Sequence, residues 1–67
     1  MMDNVQYNNY KLRCEALVIA LVGREASEGW WNSRNKAFDM LTAKEAFEQS
    51  PRTVYTYLIN FYDYTTS

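Results

Sequence analysis

At 67 residues and a formal charge of −1, the chain allows one domain, and its seven Lys or Arg, dispersed among eight Asp or Glu, give nucleic acid no basic footprint. A composition that is 48% hydrophobic and 16% aromatic excludes intrinsic disorder. Because a domain of this size buries only about 60% of its unfolded surface, its core needs large side chains, and partner binding or self-association is a natural supplement.

The same inventory limits the chemistry. There is no histidine, and no Gly-x-Ser-x-Gly turn surrounds Ser27, Ser33, Ser50 or Ser67, which removes His-based nucleophilic catalysis. One Cys without His gives zinc no ligand set, and two separated glycines make no phosphate-cradling loop. Asp39, Glu45 and Glu48 read more simply as a solvated face and a helix cap than as a converging acid site. We therefore expect no enzyme activity, no cofactor and no metal. Cys14 lies in an apolar helical stripe, which reads as a buried structural thiol in a reducing compartment. The longest apolar run, residues 16–22, falls well short of the roughly 20 needed to span a bilayer, and the N-terminus lacks a basic signal-peptide start. The expectation is a cytoplasmic protein, in the host cytoplasm if phage-encoded, that engages neither membrane nor nucleic acid.

In chain order, the first helix starts at Asp3 or Asn4, with Asp3 and Gln6 at capping-box spacing. Tyr7, Tyr10, Cys14, Leu17 and Leu21 recur at steps of three and four and form its inner face, widened by Val18 and Val22. Leu12, Ile19 and Ala20 fall away from that face, so this helix is apolar on more than one side. Gly23 either ends it in a left-handed cap or sits inside a bent continuous helix. Residues 24–31 suit a short second helix, in which Ala26 and Trp30 are four apart and Trp30 and Trp31 point about 100° apart. One Trp enters the core while the other covers the loop or meets a partner.

Residues 32–35 break the pattern with four polar side chains. Thr42-Ala43-Lys44-Glu45 is a capping box that opens a third helix with Ala43, Ala46 and Phe47 inward. Ser50-Pro51 is a second start signal, and Val54, Leu58, Phe61 and Tyr62 continue as the buried stripe of the last helix. The fold class is thus all-α: one compact bundle of about four helices over residues 1–67, long at both ends and short in the middle, with essentially no β-pattern.

Seven residues are candidates for partner binding. Tyr57, Phe61 and Tyr64 form a second stripe on the last helix, covered either by another chain or by the first helix. Arg34, Asn35 and Lys36 at the corner tip serve either an acidic partner surface or solvated turn chemistry, and Trp31 is the outward member of its pair.

The run Trp30-Trp31-Asn32-Ser33-Arg34-Asn35-Lys36-Ala37-Phe38, with Thr42-Ala43-Lys44-Glu45-Ala46-Phe47, resembles the toxin-binding domain of the Xre/MbcA/ParS-type antitoxins over residues 26–62. That family shows a Trp-led helix end, a tip with Asn, Ala before a large apolar residue, and a Thr-Pro-x-Glu helix start. Here Arg34 replaces a Pro, Met40-Leu41 a glycine-containing turn, and Ala43 the Pro of the helix start. The family's antitoxins also carry an N-terminal helix-turn-helix DNA-binding domain, for which this chain is expected to have no room. The resemblance implies an all-helical module that dimerises or docks on another protein, in the family's case a toxin that degrades NAD. The leading expectation is a small module that neutralises a toxin or host factor by occupying its surface. The alternative is a homodimer or higher oligomer that serves assembly, with no separate target.

Overall fold

A computed structural model describes the backbone of residues 3–66 and the side chains of residues 3–63. It is an all-α bundle of four helices: α1 (Asn4–Val22), α2 (Arg24–Asn32), α3 (Ala43–Gln49) and α4 (Pro51–Thr66), the first and last being the longest. Tyr64 is the one candidate whose side chain lies outside the described residues.

Each helix boundary has a local cause. Asp3 caps α1 by accepting from the Gln6 amide at 2.8 Å. Gly23 both ends α1 and begins α2, and its amide donates to the Ile19 carbonyl at 2.9 Å. Its φ of 91° and ψ of 158° make it neither a left-handed cap nor part of a bent continuous helix. This region of backbone space is essentially reserved for glycine, and it lets two helices meet through a single residue. Thr42 and Glu45 form the complete capping box of α3: the Glu45 amide donates to Thr42 Oγ1 at 3.1 Å and the Thr42 amide donates to Glu45 Oε1 at 2.9 Å. Pro51 opens α4, where its missing N–H breaks no helical bond, and Ser50 accepts from the Thr53 hydroxyl at 2.9 Å.

The α2–α3 corner does contain β-structure, contrary to the sequence reading. Residues Arg34–Asn35 (β1) pair antiparallel with Leu41–Thr42 (β2), Arg34 opposite Thr42 and Asn35 opposite Leu41. A 3-10 turn at Lys36–Phe38 fills the gap, and Asp39 (φ 55°) and Met40 (φ 68°) then turn the chain back in left-handed conformations. Two-residue strands carry no alternating pattern, so hydropathy could not show them.

The fully buried core is small: Cys14 and Val18 from α1, Phe38 from the corner, Ala43, Ala46 and Phe47 from α3, and Val54 and Leu58 from α4. Tyr7, Tyr10, Leu17, Leu21, Trp30, Trp31, Leu41, Tyr55 and Tyr57 pack around it half-buried. Three expectations need correction. Val22 is exposed at the end of α1, and the inner face of α2 is Ser27, Trp30 and Trp31, with Ala26 in solvent. On α4 the buried stripe stops at Leu58, leaving Phe61 and Tyr62 exposed, because the helix continues past the last core layer.

The corner and the Gly23 hinge make opposite stability predictions. A Cβ at Gly23 meets no atom within 4 Å, yet its positive φ strains any L-residue. Gly23→Ala is expected to cost about 1–3 kcal/mol, or roughly 4–8 °C of Tm per kcal/mol. Gly29→Ala, helical and equally open, should gain about 0.5–1 kcal/mol. Met40→Gly should also raise Tm, since a long side chain at φ 68° gives up strain with little burial to lose. Thermal melts followed by circular dichroism read all three. In addition, desolvation first, and then the Glu15 charge, push the Cys14 thiol up to about 12. The folded state therefore holds a proton that the unfolded thiol releases near pH 8.5, so this contribution is intact below that pH and is lost as pH rises toward about 12. Native Cys14 should resist thiol reagents at pH 8 and react only at the rate of unfolding.

Candidate functional site

A groove of about 400 Å³ lies between α1, α2 and α3. Its floor is apolar: Phe47 is buried, and Tyr7, Ile19 and Trp31 are half-buried around it. Around that floor stand charges of both signs, Lys11 and Glu15 from α1, Glu28 from α2, and Lys44 and Glu48 from α3, with Ser27 and Asn32 between them. The α2–α3 corner creates this arrangement, because it sets the last turn of α2 beside the first helix and α3 across from it.

The floor is held by rings meeting edge to face. Tyr7 meets Phe47 at 5.2 Å between centroids, Trp31 meets Phe47 at 5.9 Å, and Trp31 meets Trp30 at 5.1 Å. Such pairs contribute about 0.5–1.5 kcal/mol each beyond the area they bury, and they fix one another's orientation. At one wall the Tyr7 hydroxyl donates to Glu48 Oε1 at 2.8 Å, joining α1 to α3. That hydrogen bond, then desolvation, then the carboxylate's charge raise the Tyr7 phenol above its ordinary value. Asn32 donates to the Glu28 carbonyl at 2.9 Å and Ser27 to the Arg24 carbonyl at 2.9 Å, so both close their own helix. The charged rim is thereby left as the polar part of the groove.

The candidate residues do not form one site. Trp31 lines the groove. Arg34 and Asn35 serve the corner: Arg34 Nη1 donates to the Met40 carbonyl at 3.0 Å, and Asn35 Oδ1 accepts from the Ala37 amide at 2.9 Å. Lys36 is exposed at the tip. Tyr57 packs edge-on against Phe38 at 5.0 Å and stacks at 6.2 Å on Phe61, which is 46% exposed. The first helix therefore leaves the outer part of this second stripe uncovered. Tyr7, Lys11, Lys44 and Phe47 were not singled out for binding in the sequence, since each reads as core, helix surface or cap until the helices are brought together. The three carboxylates weighed as an acid site have separate places: Asp39 turns the corner in a left-handed conformation, Glu45 caps α3 and Glu48 accepts from Tyr7. Among the described residues no group of three His, Cys, Asp or Glu is placed to hold a metal ion.

A second depression of about 390 Å³, lined by Gln6, Asn9, Tyr10, Arg13 and Arg52, lies between α1 and α4 and has one ring in its wall. The α1–α3 groove, with its aromatic floor, is the stronger candidate of the two.

In the corner next to the groove, the surroundings of Glu45 favour its charged form. The Thr42 amide, then its hydroxyl, lower the pKa of Glu45; desolvation opposes them, and the Arg34 charge adds a smaller pull downward. A depressed folded pKa gives a contribution that is present above the unfolded value of about 4.3 and disappears as pH falls through the folded one. Glu45→Gln should therefore melt lower than wild type at neutral pH, with the gap narrowing in acid, as read by melts from neutral to acidic pH. No family model matches the chain, and no curated protein and no solved structure matches it either.

Proposed function

We propose that this chain is a protein-binding module without a reaction of its own, which neutralises a larger cytoplasmic protein, a toxin or a host factor, by occupying its surface. The observation that supports this reading is the groove, where an ordered aromatic floor is ringed by Lys11, Lys44, Glu15, Glu28 and Glu48. A volume near 400 Å³ accepts one or two large apolar side chains. The mixed rim supplies register and selectivity rather than bulk attraction. Trp is the side chain most often found at the energetic centre of an interface, and Trp31 is held here by Trp30 and Phe47 before any partner arrives. That preorganisation lowers the ordering cost of association.

Two further observations agree with it. The stacked Tyr57–Phe61 pair offers exposed aromatic area on α4 as a second contact. Left-handed Met40 opens the Met40-Leu41 pair that stands where the resemblance to the antitoxin domain puts a glycine-containing turn, which makes antitoxin-like neutralisation the reading we favour within this class.

The test is affinity capture from bacterial lysate with identification by mass spectrometry, followed by titration of the purified target. Wild type should capture one dominant protein and inhibit it at a one-to-one ratio. Trp31→Ala should weaken binding about thirtyfold or more. Because Trp31 also supports the fold, Lys44→Glu on the exposed rim provides a second readout, with an expected loss of about tenfold and unchanged helicity. Equal capture by all three proteins, or a captured protein whose activity is untouched, would remove the proposal.

A further inference from the structure

The depression between α1 and α4 has a chemistry the groove lacks. Gln6, Asn9, Tyr10 and Arg13 stand at helical spacing on one flank of α1, and Arg52 lines the same space from the first turn of α4. All five side chains can donate a hydrogen bond, and no described carboxylate lines the depression. The groove, by contrast, has Glu15, Glu28 and Glu48 in its walls. Neither Arg13 nor Arg52 forms a side-chain hydrogen bond or an ion pair with another described residue. Tyr10 is half-buried and held edge-on by Tyr55 at 5.3 Å.

Two guanidiniums brought to one space repel each other. Arg52 also lies at the positive end of the α4 dipole, in a first turn without an acidic residue. The basic residues are dispersed in the sequence, and the pairing of α1 with α4 brings these two together. An anion in the depression would relieve both repulsions.

We propose that the depression binds the phosphate of an organic phosphate monoester, with the organic portion against the Tyr10 ring. Two guanidiniums call for a dianion, since a carboxylate neutralises one of them. A phosphate monoester is close to doubly charged at neutral pH and offers three acceptor oxygens. Guanidinium forks match phosphate oxygens in bidentate geometry, and the Gln6 and Asn9 amides add neutral donors. The volume of about 390 Å³ leaves room beyond a bare phosphate and falls within the range of small-molecule sites. Two arginines serve one phosphate, whereas a nucleic-acid strand needs a basic track along its backbone.

The probe is phenyl phosphate, titrated into isotope-labelled protein at about 150 mM chloride and followed by NMR. Wild type should bind with Kd of about 0.1–1 mM. The Gln6 and Asn9 side-chain amide signals should move while the Trp31 indole signal in the groove stays. Phenyl sulfate, with the same ring and one charge, should bind at least about fivefold more weakly, and inorganic phosphate about threefold more weakly for want of the ring. Arg13→Gln and Arg52→Gln, both at exposed positions, should each weaken binding about tenfold or more at unchanged helicity. Lys44→Glu on the groove rim should leave it unchanged, which separates this site from the functional proposal. A short phosphotyrosine peptide distinguishes the two sources of the ligand: tighter binding than phenyl phosphate assigns it to a partner's modified side chain, and equal binding to a free small molecule. No shifts up to about 10 mM phenyl phosphate, equal affinity for phenyl sulfate, or indifference to both arginine substitutions would overturn the proposal.

Discussion

The rest of this structure depends on one run of aromatic contacts. From Phe61 on α4 the rings pass to Tyr57, to Phe38 in the corner, to Trp30 and Trp31 at the end of α2, to Phe47 in α3 and to Tyr7 on α1. All but the stacked first pair meet edge to face. The fully buried side chains are few and mostly small, so much of the cohesion between helices comes from rings that are half in solvent. Because each ring's tilt is set by the next, the groove floor is part of the packing rather than an addition to it. A second pair, Tyr10 with Tyr55, ties α1 to α4 outside this run.

Polar groups near the corner are spent on backbone geometry. Arg34 holds the Met40 carbonyl, Asn35 holds the Ala37 amide, and Thr42 and Glu45 satisfy each other's amides. A turn with two consecutive left-handed non-glycine residues needs this over-determination, since such backbone is strained on its own. Arg34 and Asn35 thereby give the tip its shape. It sets the angle between α2 and α3, and with it the opening of the groove. Lys36 projects an exposed side chain at the tip, while its carbonyl accepts from the Asp39 amide at 3.2 Å.

Helix α1 contributes both to the core and to the groove. Its inner stripe packs into the core, one flank forms a wall of the groove through Lys11, Glu15 and Ile19, and its outer strip faces away from the bundle. The groove combines an aromatic floor held by ring contacts with a rim of charges of both signs, whereas the outer side of α1 exposes Val5 and Leu12.

Local rules in the sequence determined the helices and their ends. Asp3, Thr42 with Glu45, and Pro51 act within one turn of themselves, and the steps of three and four along α1 and α3 declare an inward face wherever the core lies. The all-α class and the long-short-short-long order follow from these alone. What only the tertiary structure decided was non-local. The groove exists because Tyr7 and Glu48, far apart in sequence, meet through a hydrogen bond, and because Trp31 and Phe47 face the same space. The exposure of Phe61 and Tyr62 depends on where the neighbouring helices stop, which helical spacing does not encode. The conformation of Gly23 and the short β-pair belong to the same group, since one residue's dihedral angles and a two-residue pairing leave no periodic trace. Periodicity specifies which way a side chain points from its own helix, and the packing of helices against one another specifies what it meets there.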